Sequence, residues 1–467
     1  MVNDFFILMK SELLLTAIIF LLLFIKIGKG ISNDTQLVII QFLLLGNLTA
    51  GFFFNRTGVL FDGMFYTNGL IVFQKSILSL GLYLISLMFS NWFRKHEHMP
   101  EFFILMLSAV LGMFFLISSG NFLMFFLGLE LATIPVAAMV NFDLHKKISS
   151  EGSMKMIFSS AFSSGFLLFG ISLAYGATGT LDFSLLPLLI DGGPLQIMIL
   201  VFLFTAFAFK LSIVPFHLWT ADVYEGGPFA ASAFLSVLSK ASIAFVLMEF
   251  LYKVFAPMQD VWYNLVMVLS VATMIVGNLF ALRQQNLKRF LAFSSIAQVG
   301  FILVGITGDP AEGTSSVVYF ILIYTFSNLA VFGIAGLIDS KTGKENIDDY
   351  KGLYQTNPFL SWVLALALFS LAGIPPTAGF FGKLFLITSG ASNGNYLFIT
   401  IAALNMIISL YYYLKIIRAV FMDKNDDPIQ PLTVNRSEKL AFSICGAAII
   451  FIGFFSWIYE YIQSLYA

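Results

Sequence analysis

The chain has 467 residues, of which 59% are hydrophobic and 11% charged, and its formal net charge is −1. Soluble domains carry roughly 25% charged residues, so this composition excludes an ordinary soluble protein. The lack of any basic excess also argues against nucleic acid as a partner. A mean hydropathy of +0.90, with repeated apolar runs near the roughly 20-residue spanning length, predicts an all-α polytopic membrane protein in a lipid bilayer.

Cofactor-binding signals are scarce in this chain. The single cysteine, Cys445, cannot form an intrachain disulfide and excludes a thiolate-bound iron–sulfur cluster. Gly382-Lys383 lacks the flanking residues of a phosphate-binding loop. The four histidines, which include no i,i+4 metal-binding pair, are His96, His98, His145 and His217. We therefore expect no metal and no cofactor in this chain, and any redox chemistry should belong to other chains.

Apolar runs predict a single membrane domain, 1–467, of about 14 transmembrane helices with short connections. The first run lacks a small-residue cleavage site, so we expect a retained helix and not a signal peptide. The predicted spans are approximately 5–25, 36–54, 69–90, 102–118, 121–140, 152–177, 195–221, 229–252, 261–281, 289–307, 314–338, 359–388, 396–421 and 439–463.

The distribution of Lys and Arg predicts the orientation of the chain. Odd-numbered loops contain 15 of these residues and even-numbered loops contain 2. Because basic residues accumulate on the cytoplasmic side, the odd loops should be cytoplasmic. Both termini should then lie on the outer, periplasmic side of a bacterial inner membrane.

The seventh span contains the most informative stretch, FKLSIVPFHLWTADVYEGGP, residues 209–228. Lys210 lies inside an apolar run, and an ionisable residue at that depth is a functional candidate by default. Pro215 removes a backbone hydrogen bond and breaks or kinks the helix. A broken helix within the membrane lies in protein or along a wet cavity, so the stretch predicts part of an ion path.

The twelfth span is broken as well, by Pro375 and Pro376 in LFSLAGIPPTAGFFGKLFLI, residues 368–387. Two interrupted spans five helices apart predict paired repeats, and an odd separation makes them inverted. Spans 4–8 and 9–13 should form the two five-helix repeats. The predicted divisions are three N-terminal helices in 1–100, repeats in 101–254 and 255–423, and a C-terminal helix in 424–467.

Other charged residues lie in or near the spans. Lys155, Lys240 and Lys383 are deep in apolar runs, and Glu130 is isolated in FLGLELATIPV. Lys10, Lys75, Lys415 and Arg418 lie near span ends, where long side chains can snorkel to the membrane surface.

Several blocks together resemble one known family. They are GLELATIPV, EGSMKMIFSSAFSSGFLLFGISLAYGATG, FKLSIVPFHLWTADVYEGGP, LSKASIAF, RQQNLKRFLAFSSIAQVGFILVG and LAGIPPTAGFFGK. These blocks are similar to the antiporter-like membrane subunits of bacterial NADH:quinone oxidoreductase, respiratory complex I. The EGSMK and SKASIAF blocks favour the N-subunit type within that family.

The resemblance implies a role for each matching position. Glu130 resembles a fifth-helix glutamate that pairs with a lysine and communicates with the neighbouring subunit. Lys210 resembles the pumping lysine of the broken seventh helix, and Lys240 a lysine that links it toward the membrane centre. Lys383 resembles the lysine of the outward exit half, and Lys155 a sixth-helix lysine typical of the N type.

One position departs from the family pattern. The family often has a histidine in the tenth helix, where this chain has Gln298. Glutamine can hold water but does not take up a proton at neutral pH, so we do not expect Gln298 to carry protons.

The resemblance implies a proton-translocating, non-redox subunit of NADH:quinone oxidoreductase, moving protons along buried lysine, glutamate and water. It also implies that NADH, FMN, iron–sulfur clusters and quinone are bound by other subunits, with an M-like antiporter subunit and a small K-like subunit as neighbours. Two other functions stay open: a subunit of a multisubunit cation/proton antiporter, and a passive membrane scaffold, which several buried lysines disfavour.

Structural roles also stay open for individual residues. Lys210 could be a permanent counter-ion of Glu130, and Lys155 or Lys383 could be a snorkelling side chain. His217 follows Pro215 by two residues, so we expect it to order the break by hydrogen bonding freed carbonyls and not to relay protons.

Overall fold

The computed structural model describes residues 2–28, 31–53, 56–144, 146–425, 427–455 and 457–466. Helices form nearly all of these parts of the chain. The sheet found there is a two-stranded antiparallel hairpin of β1 (Gly58–Leu60) and β2 (Phe65–Thr67), with a 3₁₀ turn at Phe61–Gly63.

The N-terminal part and the first predicted repeat are built from thirteen α-helices. They are α1 (Val2–Leu8), α2 (Lys10–Ile27), α3 (Asn33–Ala50), α4 (Gly69–Met88), α5 (Ser90–Lys95), α6 (Met99–Ile117), α7 (Phe122–Val140), α8 (Lys147–Thr178), α9 (Leu186–Leu189), α10 (Pro194–Leu211), α11 (Leu218–Gly226), α12 (Phe229–Phe234) and α13 (Lys240–Glu249). Two π-helical turns, Leu235–Ser239 and Phe250–Val254, flank α13.

The second predicted repeat and the C-terminal part follow. Their helices are α14 (Gln259–Arg283), α15 (Leu287–Ile306), α16 (Pro310–Thr342), α17 (Leu353–Thr356), α18 (Pro358–Ala372), α19 (Ala378–Ala391), α20 (Tyr396–Phe421), α21 (Arg436–Phe454) and α22 (Trp457–Tyr466). Short 3₁₀ turns occur at Ala256–Met258 and Ile347–Tyr350.

The predicted all-α membrane architecture is confirmed. Eleven helical segments within the described residues are long and apolar enough to cross a membrane, and α18 and α19 are shorter apolar helices. The 18-residue helices α2 and α3 occupy the first two predicted spans. Each of the fourteen predicted spans therefore corresponds to a helix or to a broken pair of helices.

The two breaks share one backbone pattern. The first half-helix ends in a left-handed residue in both cases, Ser212 (φ 62°) after α10 and Gly373 (φ 85°) after α18. The next residue, Ile213 or Ile374, donates its N–H to the carbonyl five positions earlier, at 2.8 and 3.0 Å. Left-handed backbone is unusual for serine, so the conformation of the first break is imposed by its surroundings and not by glycine.

A second shared feature lies where the helices enter the membrane. Asn121 caps α7 and pairs with Asp182, whereas Asn286 caps α15 and pairs with Asn346. Five spans separate the equivalent loops, so the two capped loops lie on opposite faces of the membrane. Two equivalent features in opposite orientation are what an inverted repeat produces. The exact divisions of 101–254 and 255–423 stay a prediction.

Burial differs strongly between the helices. In the most apolar 18-residue stretch of α16, 100% of the residues are buried, and in that of α15, 94% are. In the corresponding stretch of α8, only 22% of the residues are buried. An apolar helix that is covered on all sides belongs to the core, so α15 and α16 form the centre of the molecule. The long helix α8 lies at the periphery and presents most of its apolar surface outward.

The prediction that Lys75 snorkels to the membrane surface is wrong. Its side chain is 3% exposed, and its Nζ lies 2.5 Å from Oε1 of Glu12, whose side chain is 2% exposed. The ammonium also faces the rings of Phe65 and Phe114 at 4.9 and 5.9 Å. This buried ion pair joins α2 to α4.

Candidate functional site

Lys210 occupies the last turn of α10, directly before the first break. Its Nζ donates hydrogen bonds to the hydroxyls of Thr133 on α7 (2.9 Å) and Ser160 on α8 (2.6 Å). Because the helix ends one residue later, at Leu211, the lysine lies where backbone groups lose their intrahelical partners. The break therefore places a cation against a small polar patch inside an apolar layer.

Glu130 lies near Lys210 but not in direct contact with it. Its carboxylate accepts a short hydrogen bond from the Ser164 hydroxyl. Among the described residues, no carboxylate oxygen lies within 4.0 Å of Nζ of Lys210. Thr133 follows Glu130 by three residues on the same face of α7, so a hydroxyl stands where an ion-pair contact was expected.

The first break is stabilised by side chains of α11, the helix that follows it. The indole of Trp219 donates to the Phe209 carbonyl (3.1 Å), and the Thr220 hydroxyl donates to that of Ser212 (2.6 Å). Trp219 thus shares the carbonyl-binding role that the sequence predicts for His217, whose ring interacts with the backbone carbonyl of Pro215. His217 itself is buried beside Pro215, at the start of α11.

A cleft of about 700 Å³ reaches this polar patch. It begins at loop residues such as Asn141 and Leu144 and extends between α7 and α8 to Glu130, Thr133 and Ser160. The loop end lies on the side that the basic residues mark as cytoplasmic. The hydroxyls that bind Lys210 are therefore connected to one membrane surface by open space.

Lys240 is the next lysine inward. It begins α13 directly after a π-helical turn, a feature often found at functional sites. Its side chain is buried, and its Nζ donates to the Ser295 hydroxyl at 2.7 Å and faces the Tyr224 ring at 5.8 Å. A cavity of about 30 Å³ is lined by both Lys210 and Lys240, which is enough for one water molecule.

A polar cluster links α15 to α20 beyond Lys240. The Tyr413 hydroxyl lies 2.5 Å from that of Ser294, and it accepts a hydrogen bond from Nε2 of Gln298 at 3.1 Å. The same Nε2 lies 3.3 Å from the Leu371 carbonyl, at the end of α18. Oε1 of Gln298 is buried and has no partner among the described residues. Gln298 therefore joins the cluster to the second break.

Lys383 lies at that second break. Its side chain is 0% exposed, which excludes the snorkelling alternative. Its Nζ approaches the Ala372 carbonyl at 3.3 Å and the Ser409 hydroxyl at 3.5 Å. It also faces the Phe301 ring at 4.8 Å. Like Lys210 and Lys240, it has no carboxylate within 4.0 Å in the described parts of the chain.

Lys155 differs from the other three lysines. Its side chain is 42% exposed, and its Nζ lies 2.7 Å from Glu151 and 2.6 Å from Asp222. Arg289 on α15 binds the other oxygen of Asp222 at 2.8 Å, and it binds Glu225 at 2.5 Å. This charge cluster joins α8, α11 and α15 at the same end of the molecule as the loop end of the cleft. The exposed position of Lys155 favours a role in this surface charge network over a role beside the buried lysines Lys240 and Lys383.

The hydroxyl residues of this site were not predicted from the sequence. Thr133, Ser160, Ser295, Ser409 and Tyr413 all contact a lysine or Gln298, yet serine and threonine are common in membrane helices. The available signal was the run SSIAQ, in which two hydroxyls precede Gln298 on one helix.

Among the described residues, no group of three or more His, Cys, Asp or Glu side chains is arranged to hold a metal ion. His145, one of the four histidines considered in the sequence, lies outside the described residues.

The family of the chain follows from comparison with known proteins. The profile described as NADH:quinone oxidoreductase/Mrp antiporter, transmembrane, matches residues 119–409, which include both broken spans. The chain belongs to this family. Subunit N of the NADH-quinone oxidoreductase of Phocaeicola vulgatus is 45% identical over 465 residues, covering 98% of both chains.

Solved structures agree with the family assignment. A chain of respiratory complex I from Thermus thermophilus with bound aureothin matches with a TM-score of 0.81 and 26% identity, over 95% of this chain and 96% of that one. A chain of the Mrp complex from Dietzia sp. DQ12-45-1b matches with a TM-score of 0.87 over 100% and 98% of the two chains. Its 18% identity shows a shared fold and no more.

Proposed function

We propose that this chain is a proton-translocating membrane subunit of a redox-driven NADH:quinone oxidoreductase. Its relative from Phocaeicola vulgatus, named as subunit N, supports the assignment over almost the whole chain. The chain would lie in the bacterial inner membrane with both termini outside. Other subunits would bind NADH, FMN, iron–sulfur clusters and quinone, and an M-like and a small K-like subunit would be neighbours.

One observation carries the proposal: Lys210, Lys240 and Lys383 form a line of lysines without a carboxylate in contact. A charged group away from water is costly unless it is paired. The protonated form of an unpaired lysine in such a position is therefore destabilised. Each lysine instead meets hydroxyls or carbonyls, which can pass or receive a proton without binding it permanently. A permanent structural ion would need a close counter-charge, as Lys75 has in Glu12.

Glu130 supplies the adjustable charge in this proposal. A carboxylate close to a lysine stabilises its charged form, and loss of that influence favours proton release. Glu130 influences Lys210 electrostatically and not through a salt bridge, since Lys210 itself binds the Thr133 and Ser160 hydroxyls. Small movements would therefore change that influence. The cleft would deliver protons to Lys210, and Lys240 and Lys383 would receive them in turn.

The test is Lys210→Met in the assembled complex, with Lys415→Met as a matched control because Lys415 is exposed on α20. Lys210→Met should sharply lower proton pumping and the NADH oxidation coupled to it while leaving assembly intact. Lys210→Arg should be nearly as harmful, because guanidinium keeps its proton throughout. Wild-type turnover and wild-type protons per electron in Lys210→Met would show that Lys210 is a structural ion.

The antiporter alternative has support from the shared fold of the Mrp match and from the family profile, whose description names both classes. Reconstitution separates the two functions. Sodium-dependent proton flux by this chain with a few membrane partners would favour an antiporter. Purification together with flavin, iron–sulfur clusters and NADH-to-quinone activity would favour the proposed function.

A further inference from the structure

Two hydroxyl side chains on α20 lie between Lys240 and Lys383. Ser409 and Tyr413 are one helical turn apart, so they lie on the same face of α20. Ser409 contacts Lys383, and Tyr413 contacts Ser294, the residue next to the Ser295 that binds Lys240. This face of α20 therefore runs from the turn of α15 that contains Ser295, the partner of Lys240, to the surroundings of Lys383.

Tyr413 is the central member of this arrangement. Its side chain is fully buried, and its ring packs against Tyr412 and Phe290, with centroids 4.6 and 5.9 Å away. Its hydroxyl is placed between the Ser294 hydroxyl and the Gln298 amide. A phenol that is packed on all sides keeps its oxygen in one position, which suits a group that transfers protons along a defined line.

Gln298 contributes a binding position for water beside this hydroxyl. Its Nε2 is used by Tyr413 and the Leu371 carbonyl, while its buried Oε1 has no partner among the described residues. A buried acceptor without a partner is costly, and an ordered water molecule is the usual way in which such a group is satisfied. A water bound there would lie next to the second break, where Lys383 contacts the Ala372 carbonyl.

We propose that Tyr413 is the proton-relay residue between Lys240 and Lys383, with Gln298 positioning it and the neighbouring water. The inference rests on the proposed function and adds a residue to it. A proton arriving from the Ser294 side forms an O–H bond at the phenol oxygen. The original phenol proton leaves to the water at Gln298, and that water passes a proton to the neutral amine of Lys383. The phenol and the water both end neutral, and no oxidant or reductant is required.

The experiment compares three variants in the assembled complex. Tyr413→Phe removes the relay hydroxyl and keeps the ring packing. Tyr319→Phe is the matched control, since it removes a buried phenol hydroxyl on α16 that donates to the Ile452 carbonyl at 3.3 Å and is not part of the Tyr413 cluster. The double variant Tyr413→Phe/Gln298→His restores a group that can take up and release a proton at the same place.

The readouts are protons pumped per electron and NADH-to-quinone turnover, with NADH oxidation by an artificial acceptor as the check on assembly. Tyr413→Phe should lower coupled turnover about tenfold or more, since a positioned proton-transfer group typically contributes roughly 10²–10⁴-fold. Tyr319→Phe should stay close to wild type, and the double variant should recover most of the loss.

Three results would overturn the relay: wild-type pumping in Tyr413→Phe, equal losses in Tyr319→Phe and Tyr413→Phe, or no recovery in the double variant. Lys240→Met distinguishes this failure from failure of the proposed function. If Lys240→Met stops pumping while Tyr413→Phe does not, only the relay is wrong. If Lys240→Met also pumps normally, the proposed line of lysines fails as a whole.

Discussion

The buried ion pair between Glu12 and Lys75 leads to a prediction about stability. Both side chains are at most 3% exposed, and Nζ and Oε1 are 2.5 Å apart. At an effective dielectric constant of about 20, two unit charges at this separation attract by about 7 kcal/mol. Desolvation of the two ions costs several kcal/mol each and offsets most of that attraction.

Removing one partner should therefore be much worse than removing both. Lys75→Met removes the ammonium that contacts the buried Glu12 carboxylate and leaves Lys10 as the nearby positive charge. The loss of the contact should destabilise the protein by about 3–5 kcal/mol. The double variant Glu12→Leu/Lys75→Met replaces the pair with apolar side chains and should recover most of that loss. The coupling energy from the double-mutant cycle should be large and favourable.

The assay is the temperature at which half of the detergent-purified protein loses its monodisperse state. Lys253→Met is the control, because Lys253 and Glu249 are also 2.5 Å apart but their side chains are 51% and 36% exposed. Exposed pairs contribute about 0–1 kcal/mol, so Lys253→Met should shift the midpoint little. The reasoning is refuted if Lys75→Met is no worse than Lys253→Met, or if the double variant is as unstable as Lys75→Met alone.

Three further predictions test orientation, Gln298 and the charge cluster. A cysteine at exposed Ser184 should be labelled from outside intact cells and one at exposed Thr342 should not; the reverse pattern would invert the topology. Gln298→His alone should leave coupled activity near wild type, because imidazole can still donate to the Tyr413 hydroxyl and hold water, and a large change would show that this position itself carries protons. Asp222→Asn should lower turnover without loss of assembly, because it weakens the contact to Arg289; unchanged turnover would make the cluster irrelevant to the reaction.

The architecture was largely predictable because membrane spans are limited by length and by backbone hydrogen bonding. Apolar runs near the spanning length located the fourteen spans, and prolines located both breaks. The burial of Lys75 was not predictable in the same way. Its position near a span end suggested snorkelling, but its partner, Glu12, lies 63 residues away in the chain. Such a contact depends on how α2 packs against α4.

The lysines of the site were visible in the sequence, but their surroundings were not. A lysine in an apolar run is conspicuous, whereas the serine or tyrosine that it contacts resembles many others. Periodicity does not identify those partners, because core helices such as α15 and α16 are apolar on every face. The same limit explains why the sequence suggested a direct contact between Glu130 and Lys210, where the structure places Thr133 and Ser160 around the ammonium.

The two breaks hold their lysines in different ways, although their backbones are similar. At the first break, Lys210 contacts hydroxyls of α7 and α8 that also line the cleft. At the second break, Lys383 is fully buried and contacts the Ala372 carbonyl, one of the last carbonyls of α18 and hence without an intrahelical partner. The Lys210 end of the line of lysines is therefore open to the cleft, whereas the Lys383 end is closed.

This asymmetry is what a pump requires, because a path open at both ends would let protons flow back. In inverted-repeat transporters the two halves alternate in exposing the central site. Under the proposed function, the structure corresponds to a state that is accessible from the cytoplasmic side. Release would require the contact between Lys383 and the Ala372 carbonyl to give way to water from the outer side. Movement at the second break, and not at the first, is then the step that neighbouring subunits must drive.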